Sequence, residues 1–396
     1  LRLPLHVRLQ HCVVKRCFLT TLQREVTGRC VAEDTLSMIQ RLEGIGAAEV
    51  PQAVRRINVS QETLMFNPFA RASRPALSGG ALTARAGAVA LSALLLAACG
   101  GGGSSTAPTP PLFSSVVVFG ASLTDTGNVC PTAATPGCPP VPPYASGRFS
   151  NGTLFIETVA ARYGATVRPS TSGGNNFAYA GARTGAIPGL TTQSTTPSMI
   201  AQLDQFIQRG SSAALMNPQT LFVVDASTFG NNINAGLPLI GAGTITPTQL
   251  VTAGVTDVVT LMTRLYAAGA RRMLVVNAPN VGLTPLVRPQ GPAVAGAATQ
   301  LAGGFNQGLA GQITALVAAS PGLTVYSLDT FSIQNAVTAN PSIAGLTNAI
   351  DACTSVPACV SSATVPDTYL YWDTFHPTRA FGAYIATQVA TILPAP

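Results

Sequence analysis

The chain has 396 residues, 47% of them hydrophobic and only 9% charged, which is enough apolar material for a large core and argues against intrinsic disorder. Its formal charge of +7 suggests a nucleic-acid or membrane partner until the charge is located: residues 1–98 carry 12 Lys and Arg against 6 Asp and Glu, whereas residues 99–396 carry 10 Arg, no Lys and 9 Asp and Glu. The surplus sits in the leader, and the rest of the chain lacks the basic stripe that a nucleic-acid partner would need, so none is expected.

Residues 1–64 start at Leu1, are rich in Arg, hold Cys12, Cys17 and Cys30, and fit nothing downstream. They are read as a non-native upstream extension with Met65 as the true initiator, because residues 65–98 have the layout of an export signal. Arg71, Arg74 and Arg85 precede an uncharged run of 13 residues from Ala86 to Ala98. A spanning helix needs about 20 residues, so this run suits the apolar core of a secretory signal instead. Leu96-Ala97-Ala98-Cys99 resembles a bacterial lipobox, in which the Cys is lipidated and becomes the first mature residue; a signal peptide with an incidental Cys99 is the other reading. Gly100–Gly103, Ser104, Ser105 and the Pro-rich Ala107–Pro111 make residues 99–112 a flexible tether to a domain over 113–396. The expected location is the bacterial cell envelope, as an outer-membrane lipoprotein held to the membrane through Cys99, or the extracellular space.

The domain opens on Ser115–Phe119, a β-branched and aromatic run with the character of a buried parallel strand, which Gly120 breaks at once. Ser122 then stands at the carboxyl end of a strand, where open α/β sheets place their ligand crevice; alone, it fits a polar turn equally well. Further strands are expected at Asn176–Tyr179, Leu221–Asp225, Met273–Asn277 and Thr324–Ser327, and helices at Leu154–Arg162, Ser198–Arg209, Pro247–Ala268, Val294–Ala319 and Pro377–Leu393. Short apolar strands between long helical stretches predict an α/β fold with a parallel sheet covered on both faces. Cys130 and Cys138 flank one turn-rich loop and Cys353 and Cys359 another. In an exported protein, pairing within each loop is the simplest of three connectivities. Metal binding is the disfavoured alternative, since no His lies beside them.

Near the end, Asp373 precedes His376 and Pro377, and His376 is the only His after His11. Pro377 disfavours helical geometry at His376, which puts both side chains on a loop leading into a helix. A solvated Asp beside a surface His is the plain reading of that segment. Combined with Ser122, an acid that holds an imidazole base for a hydroxyl nucleophile becomes the better one.

Four ordered blocks resemble the GDSL family of serine hydrolases, also called SGNH hydrolases, in its secreted lipase-like and lecithinase-like branch. They are Phe119–Asn128 followed by Gly147–Gly152, Asn176–Ala182, Gly230-Asn231-Asn232, and Asp373–His376, with Asn277–Pro285 also similar. The resemblance covers nearly all of 113–394. It implies a three-layer α/β/α sandwich around a mainly parallel five-stranded, flavodoxin-like sheet, with Ser122 as nucleophile, Asp373 and His376 completing the triad, and Gly181 and Asn231 as oxyanion donors. It departs from the family pattern at Ala121 and Asn232, where Asp is usual, which puts rate and pH optimum in question. Asp125 either compensates for these departures or caps a helix after the nucleophile loop, and the cap is the expected role.

The implied reaction is ester hydrolysis through an acyl-enzyme, on a small-molecule or lipid ester, by a monomer without cofactor or metal. A phospholipid-dependent acyltransferase and a non-catalytic surface-binding lipoprotein are the alternatives. The loops after Cys130, around Leu237–Thr246 and over Phe331–Pro366 are expected to shape the pocket.

Overall fold

Every side chain from Val116 to Phe119 is fully buried, and alternate ones point to opposite sides of a sheet. The computed structural model describes residues 112–396 apart from 133, 192, 193 and 211. The expected extension over 1–64, the signal over 65–98, Cys99 and the tether as far as Pro111 lie outside the described residues. Strands β1 (Ser115–Phe119), β2 (Thr220–Asp225), β3 (Arg272–Val276) and β4 (Thr324–Leu328) form one sheet in the order β1-β2-β3-β4, with all neighbours parallel.

Val117, Phe119, Phe222, Val224, Met273 and Val275 point into one core, shared with helices α2 (Met199–Gln208), α3 (Phe229–Gly241), α4 (Pro247–Ala268) and α5 (Pro292–Ala319). Val116, Val118, Leu221, Val223, Leu274 and Val276 point into a second core, shared with α1 (Phe155–Arg162), α6 (Thr330–Ala339) and α7 (Arg379–Ile392). Each such Val or Phe contributes about 1.5–3 kcal/mol by leaving water, so both faces of the sheet need their helices. Local sequence sets where those helices begin. Thr246 and Gln249 form a reciprocal capping box with Pro247 in the first turn of α4, which ends on left-handed Gly269. Thr378 caps α7 by accepting from the Phe381 N–H.

The sheet has four laddered strands rather than five. The fifth expected strand, Asn176–Tyr179, runs along the outside of β1 but makes only an isolated bridge at Asn176, with N–H bonds from Phe177 to the Val118 carbonyl (2.8 Å) and from Tyr179 to the Gly120 carbonyl (3.2 Å). On its outer edge Asn176 bridges Pro169, giving its N–H to the Arg168 carbonyl (2.9 Å) and accepting the Ser170 N–H (2.7 Å), and asparagine side chains add to this pairing. Asn128 Nδ2 donates to the carbonyls of Asn176 and Ala178, both at 2.8 Å, and Asn176 Oδ1 accepts the Ala178 N–H at 3.0 Å, covering polar groups that an open edge would expose. The chain thus leaves β1 toward one side and returns to β2 on the other, which makes the carboxyl end of β1 the place where chain direction across the sheet reverses.

Two helices occupy stretches expected to be loops. Helix α3 runs through Pro238 to Gly241, and α6 starts at an Asp329 side-chain cap. A second, two-stranded parallel sheet pairs β5 (Asn348–Ala352) with β6 (Tyr369–Tyr371).

Candidate active site

The turn carrying Ser122 is fixed on three sides. Gln202 of α2 grips Gly120 with both ends of its amide, accepting the Gly120 N–H and donating to the Gly120 carbonyl, each at 2.9 Å. Gly120 has no room for a side chain, since a Cβ would lie 2.5 Å from Thr124 Oγ1 and 2.7 Å from Asp225 Cβ. Thr124 Oγ1 donates to Asp225 Oδ2 at 2.9 Å, tying the turn to the end of β2. Burial pushes the Asp225 carboxyl up to about 6 against the bonds from Ser227 and Thr124.

Asp125 caps no helix. Its carboxylate closes the turn by accepting the N–H groups of Gly127 (2.8 Å), Asn128 (2.6 Å) and Val129 (3.2 Å), and reaches across to the N–H of Ala180 at 2.9 Å. Burial raises its pKa in spite of these four donors. The chain after Thr124 turns too tightly to start a helix, so the carboxylate serves the turn itself.

At the other end of the chain, a bridge between Tyr371 and Pro377 and the Trp372 N–H bond to the His376 carbonyl (2.8 Å) pinch residues 372–376 into a loop. Asp373 Oδ1 accepts the N–H groups of Phe375 (2.8 Å) and His376 (2.7 Å). Its Oδ2 faces His376 Nδ1 at 2.8 Å and accepts the Tyr144 hydroxyl at 2.9 Å. Burial alone would raise the Asp373 carboxyl, but the bonds and charge of His376 and the two N–H groups outweigh it and hold it below the ordinary carboxylate range. An ionised Asp373 can only accept, so Nδ1 carries the ring proton and Nε2 turns its lone pair to Ser122 Oγ, 2.8 Å away. Ser122, His376 and Asp373 are therefore brought together. Tyr144, whose hydroxyl is pushed up by burial and by the charge of Asp373, packs edge-on against Trp372. Trp372 in turn packs against Cys353 and Cys359. Disulfides join Cys130 to Cys138 and Cys353 to Cys359.

Asn231, in the first turn of α3, donates through Nδ2 to the Ala182 carbonyl at 2.7 Å, leaving its second amide proton without a partner among the described residues. Ser122 and Asn231 line one cavity. Gly181 is not on its wall; it is joined to Asn231 through Ala182 and takes a left-handed conformation at φ 78° that favours glycine. Among the described residues, neither its N–H nor that of Ser122 has a protein acceptor.

The carboxyl ends of all four main strands feed this cavity, through Ser122, Ser227, Val281 and Thr330, and its floor is apolar, with Phe155, Val276, Phe381 and Ile385. The expected pocket loops after Cys130 and around Leu237–Thr246 contribute nothing to the wall, and Phe331–Pro366 contributes Gln334 alone. Strand ends and the faces of α1 and α7 shape the pocket because the crevice lies over the sheet itself. Sequence reasoning missed Gln202, Asp225 and Tyr144; of these only Asp225 carried a signal, as a carboxylate ending an apolar strand.

Comparison with known proteins gives the family of the chain. The profile of the GDSL-like lipase/acylhydrolase family matches residues 116–389. A GDSL esterase/lipase of Arabidopsis thaliana is 27% identical over 305 residues, covering 70% of this chain and 88% of that protein. The phosphatidylcholine-sterol acyltransferase of Aeromonas hydrophila is 28% identical over 182 residues, 46% of this chain and 49% of the enzyme, and the thermolabile hemolysin of Vibrio parahaemolyticus is 23% identical over 298 residues, 71% of this chain and 64% of that protein. With a parallel α/β sheet, a serine past its first strand and a histidine in bonding range of that serine, the chain belongs to the GDSL-like lipase/acylhydrolase family.

Proposed function

We propose that the protein hydrolyses carboxylic esters of aliphatic acyl groups through an acyl-enzyme on Ser122. The observation that carries this reading is the 2.8 Å approach of His376 Nε2 to Ser122 Oγ, with Asp373 on the other ring nitrogen. As the Ser122 oxygen bonds to the ester carbonyl carbon, its proton passes to Nε2, and the resulting imidazolium is stabilised by Asp373. The carbonyl becomes an O⁻ received by the free N–H groups of Ser122 and Gly181 and the spare amide proton of Asn231. Collapse expels the alcohol, protonated by His376. Water then repeats the sequence on the acyl-enzyme, giving the acid and restoring Ser122. The apolar floor of the cavity takes the acyl chain.

The same site serves an acyltransferase when an alcohol replaces water in the second half, a reading favoured by the similarity to an acyltransferase of Aeromonas hydrophila. A non-catalytic binder gains no support from Ser122, His376 and Asp373 joined in one chain of hydrogen bonds. The two separate cores on the two sheet faces support the three-layer reading. The proposal extends to an exported, monomeric protein of the lecithinase-like branch, held to the membrane by a lipid at Cys99. Among the described residues no helix is long and apolar enough to cross a membrane.

The test is a panel of p-nitrophenyl esters graded by chain length together with phosphatidylcholine, with and without an added alcohol. Hydrolysis by the wild type and its loss in Ser122→Ala are expected, and acyl transfer to the alcohol would favour the second reading. Hydrolysis that survives in Ser122→Ala would end both.

A further inference from the structure

We propose that Thr184, clamped between Asn232 of α3 and Asp257 of α4, is a positioning residue that sets the loop presenting the Gly181 N–H. This inference rests on the hydrolase reading and adds to it a part of the oxyanion site outside the triad and its donors. The loop from Ala180 to Gly185 is tied by side chains at Ala180, Ala182 and Thr184, and by the Arg183 carbonyl, which accepts the Met199 N–H at 2.9 Å. Ala180 gives its N–H to Asp125 at 2.9 Å, Ala182 is held through its carbonyl by Asn231 at 2.7 Å, and Thr184 gives its N–H to Asn232 Oδ1 at 3.0 Å. Gly181 lies between the first two ties with its own N–H free.

The third tie is a closed relay of protons. Thr184 Oγ1 donates its single proton to Asp257 Oδ2 at 2.8 Å, and so can only accept from its other neighbour, Asn232 Nδ2, at 2.9 Å. Thr184 is fully buried and Asn232 nearly so, so breaking either bond strands a buried polar group. Asp257 is pressed against the same loop. A Cβ on Gly185 would lie 2.5 Å from its carboxylate. Asp257 makes no ion pair among the described residues. Of the charged groups on the elements around it, Arg264 on α4 is paired with Asp204 on α2, and Arg183 adjoins Thr184 in the loop. Burial raises the Asp257 carboxyl to about 6 against the bond from Thr184, which leaves it mostly ionised at neutral pH.

The relay gives Asn232 a physical reason for being an amide where its family usually has Asp. One hydroxyl proton cannot serve two carboxylates, and with Asp257 present the partner on the other side must donate. Replacing Asn232 by Asp puts two like charges on Thr184; they tolerate one another only when they share a proton, as the pH falls.

The experiment compares Thr184→Val, Thr184→Ser, Asn232→Asp and the exchange Asn232→Asp/Asp257→Asn, each verified as folded by circular dichroism, in kcat and KM across pH 5–9. A misplaced oxyanion donor lowers kcat rather than raising KM, by about tenfold or more. Thr184→Val and Asn232→Asp are expected to show that loss at pH 8, with Asn232→Asp recovering toward pH 5.5 relative to wild type. Thr184→Ser should keep most of the activity, and the exchange variant should return to within about threefold of wild type by reversing the relay. Wild-type kcat in Asn232→Asp, or an exchange variant no better than that single change, overturns the proposal. An inert wild type would instead be a failure of the hydrolase reading. If Thr184→Val does not fold, the exchange pair decides alone, because it removes no hydrogen-bonding group.

Discussion

Asn231→Ala separates a donor in the transition state from a residue that only packs. Asn231 Nδ2 carries two protons, and one is spent on the Ala182 carbonyl at 2.7 Å. The other is free at the wall that Asn231 shares with Ser122. Removing a donor aimed at a developing O⁻ costs about 3–4 kcal/mol, or roughly 100- to 1000-fold in kcat, and losing the tie to Ala182 adds about 1 kcal/mol for one hydrogen bond. The ground-state ester carries no full charge on that oxygen, so KM should move by less than about threefold. Steady-state hydrolysis of a short-chain p-nitrophenyl ester measures both constants, with the thermal midpoint as a check on folding. A folded Asn231→Ala variant within about fivefold of wild-type kcat would refute the assignment of Asn231 to the oxyanion site.

Because Ser122 and His376 act as a unit, Ser122→Ala/His376→Ala should be hardly slower than either single variant, read as non-additive losses in kcat/KM. Ile385→Trp fills the apolar end of the cavity lined by Phe155 and Phe381, and is expected to shift the optimum of an ester panel toward shorter acyl chains with little change on acetate. Asp225 supplies a pH signature in stability. Its folded pKa of about 6 lies above the ordinary 3.8, so the folded state holds the proton more tightly and stability is lost as pH rises from about 4 through 6. In denaturant titrations Asp225→Asn should therefore gain on wild type across that window by up to about 3 kcal/mol, the worth of a shift of about two units at a fully buried carboxyl; a constant difference would show that Asp225 titrates normally.

The sheet was legible in the chain because its strands are short, mainly apolar runs punctuated by Gly or polar residues, as Val116–Phe119 before Gly120 illustrates. Helix α3 was not, since Pro238 and the Asn pair at its start read as loop, and tertiary packing of Phe229 and Ile233 against α4 and α5 overrode both signals. The fifth strand failed for a different reason. Asn176–Tyr179 is bridged only at Asn176, to Val118 of β1 on one side and to Pro169 on the other, and the side chains of Asn128 and Asn176 bond further backbone groups there, which no periodicity reports. His376 stood out as the one histidine in the domain, Asp373 by lying three residues before it, and Ser122 by following an apolar strand. Gln202 and Tyr144 are common residue types on ordinary-looking segments, and only folding shows that one clamps Gly120 and the other bonds Asp373.

The central claim is that Ser122 forms the covalent intermediate, and a fluorophosphonate probe tests it most directly. Intact and peptide mass spectrometry of the treated protein should find one adduct, on the peptide containing Ser122, formed at a rate that His376→Ala lowers by at least about 100-fold. An adduct on another residue, or labelling of Ser122→Ala at the wild-type rate, would contradict the account.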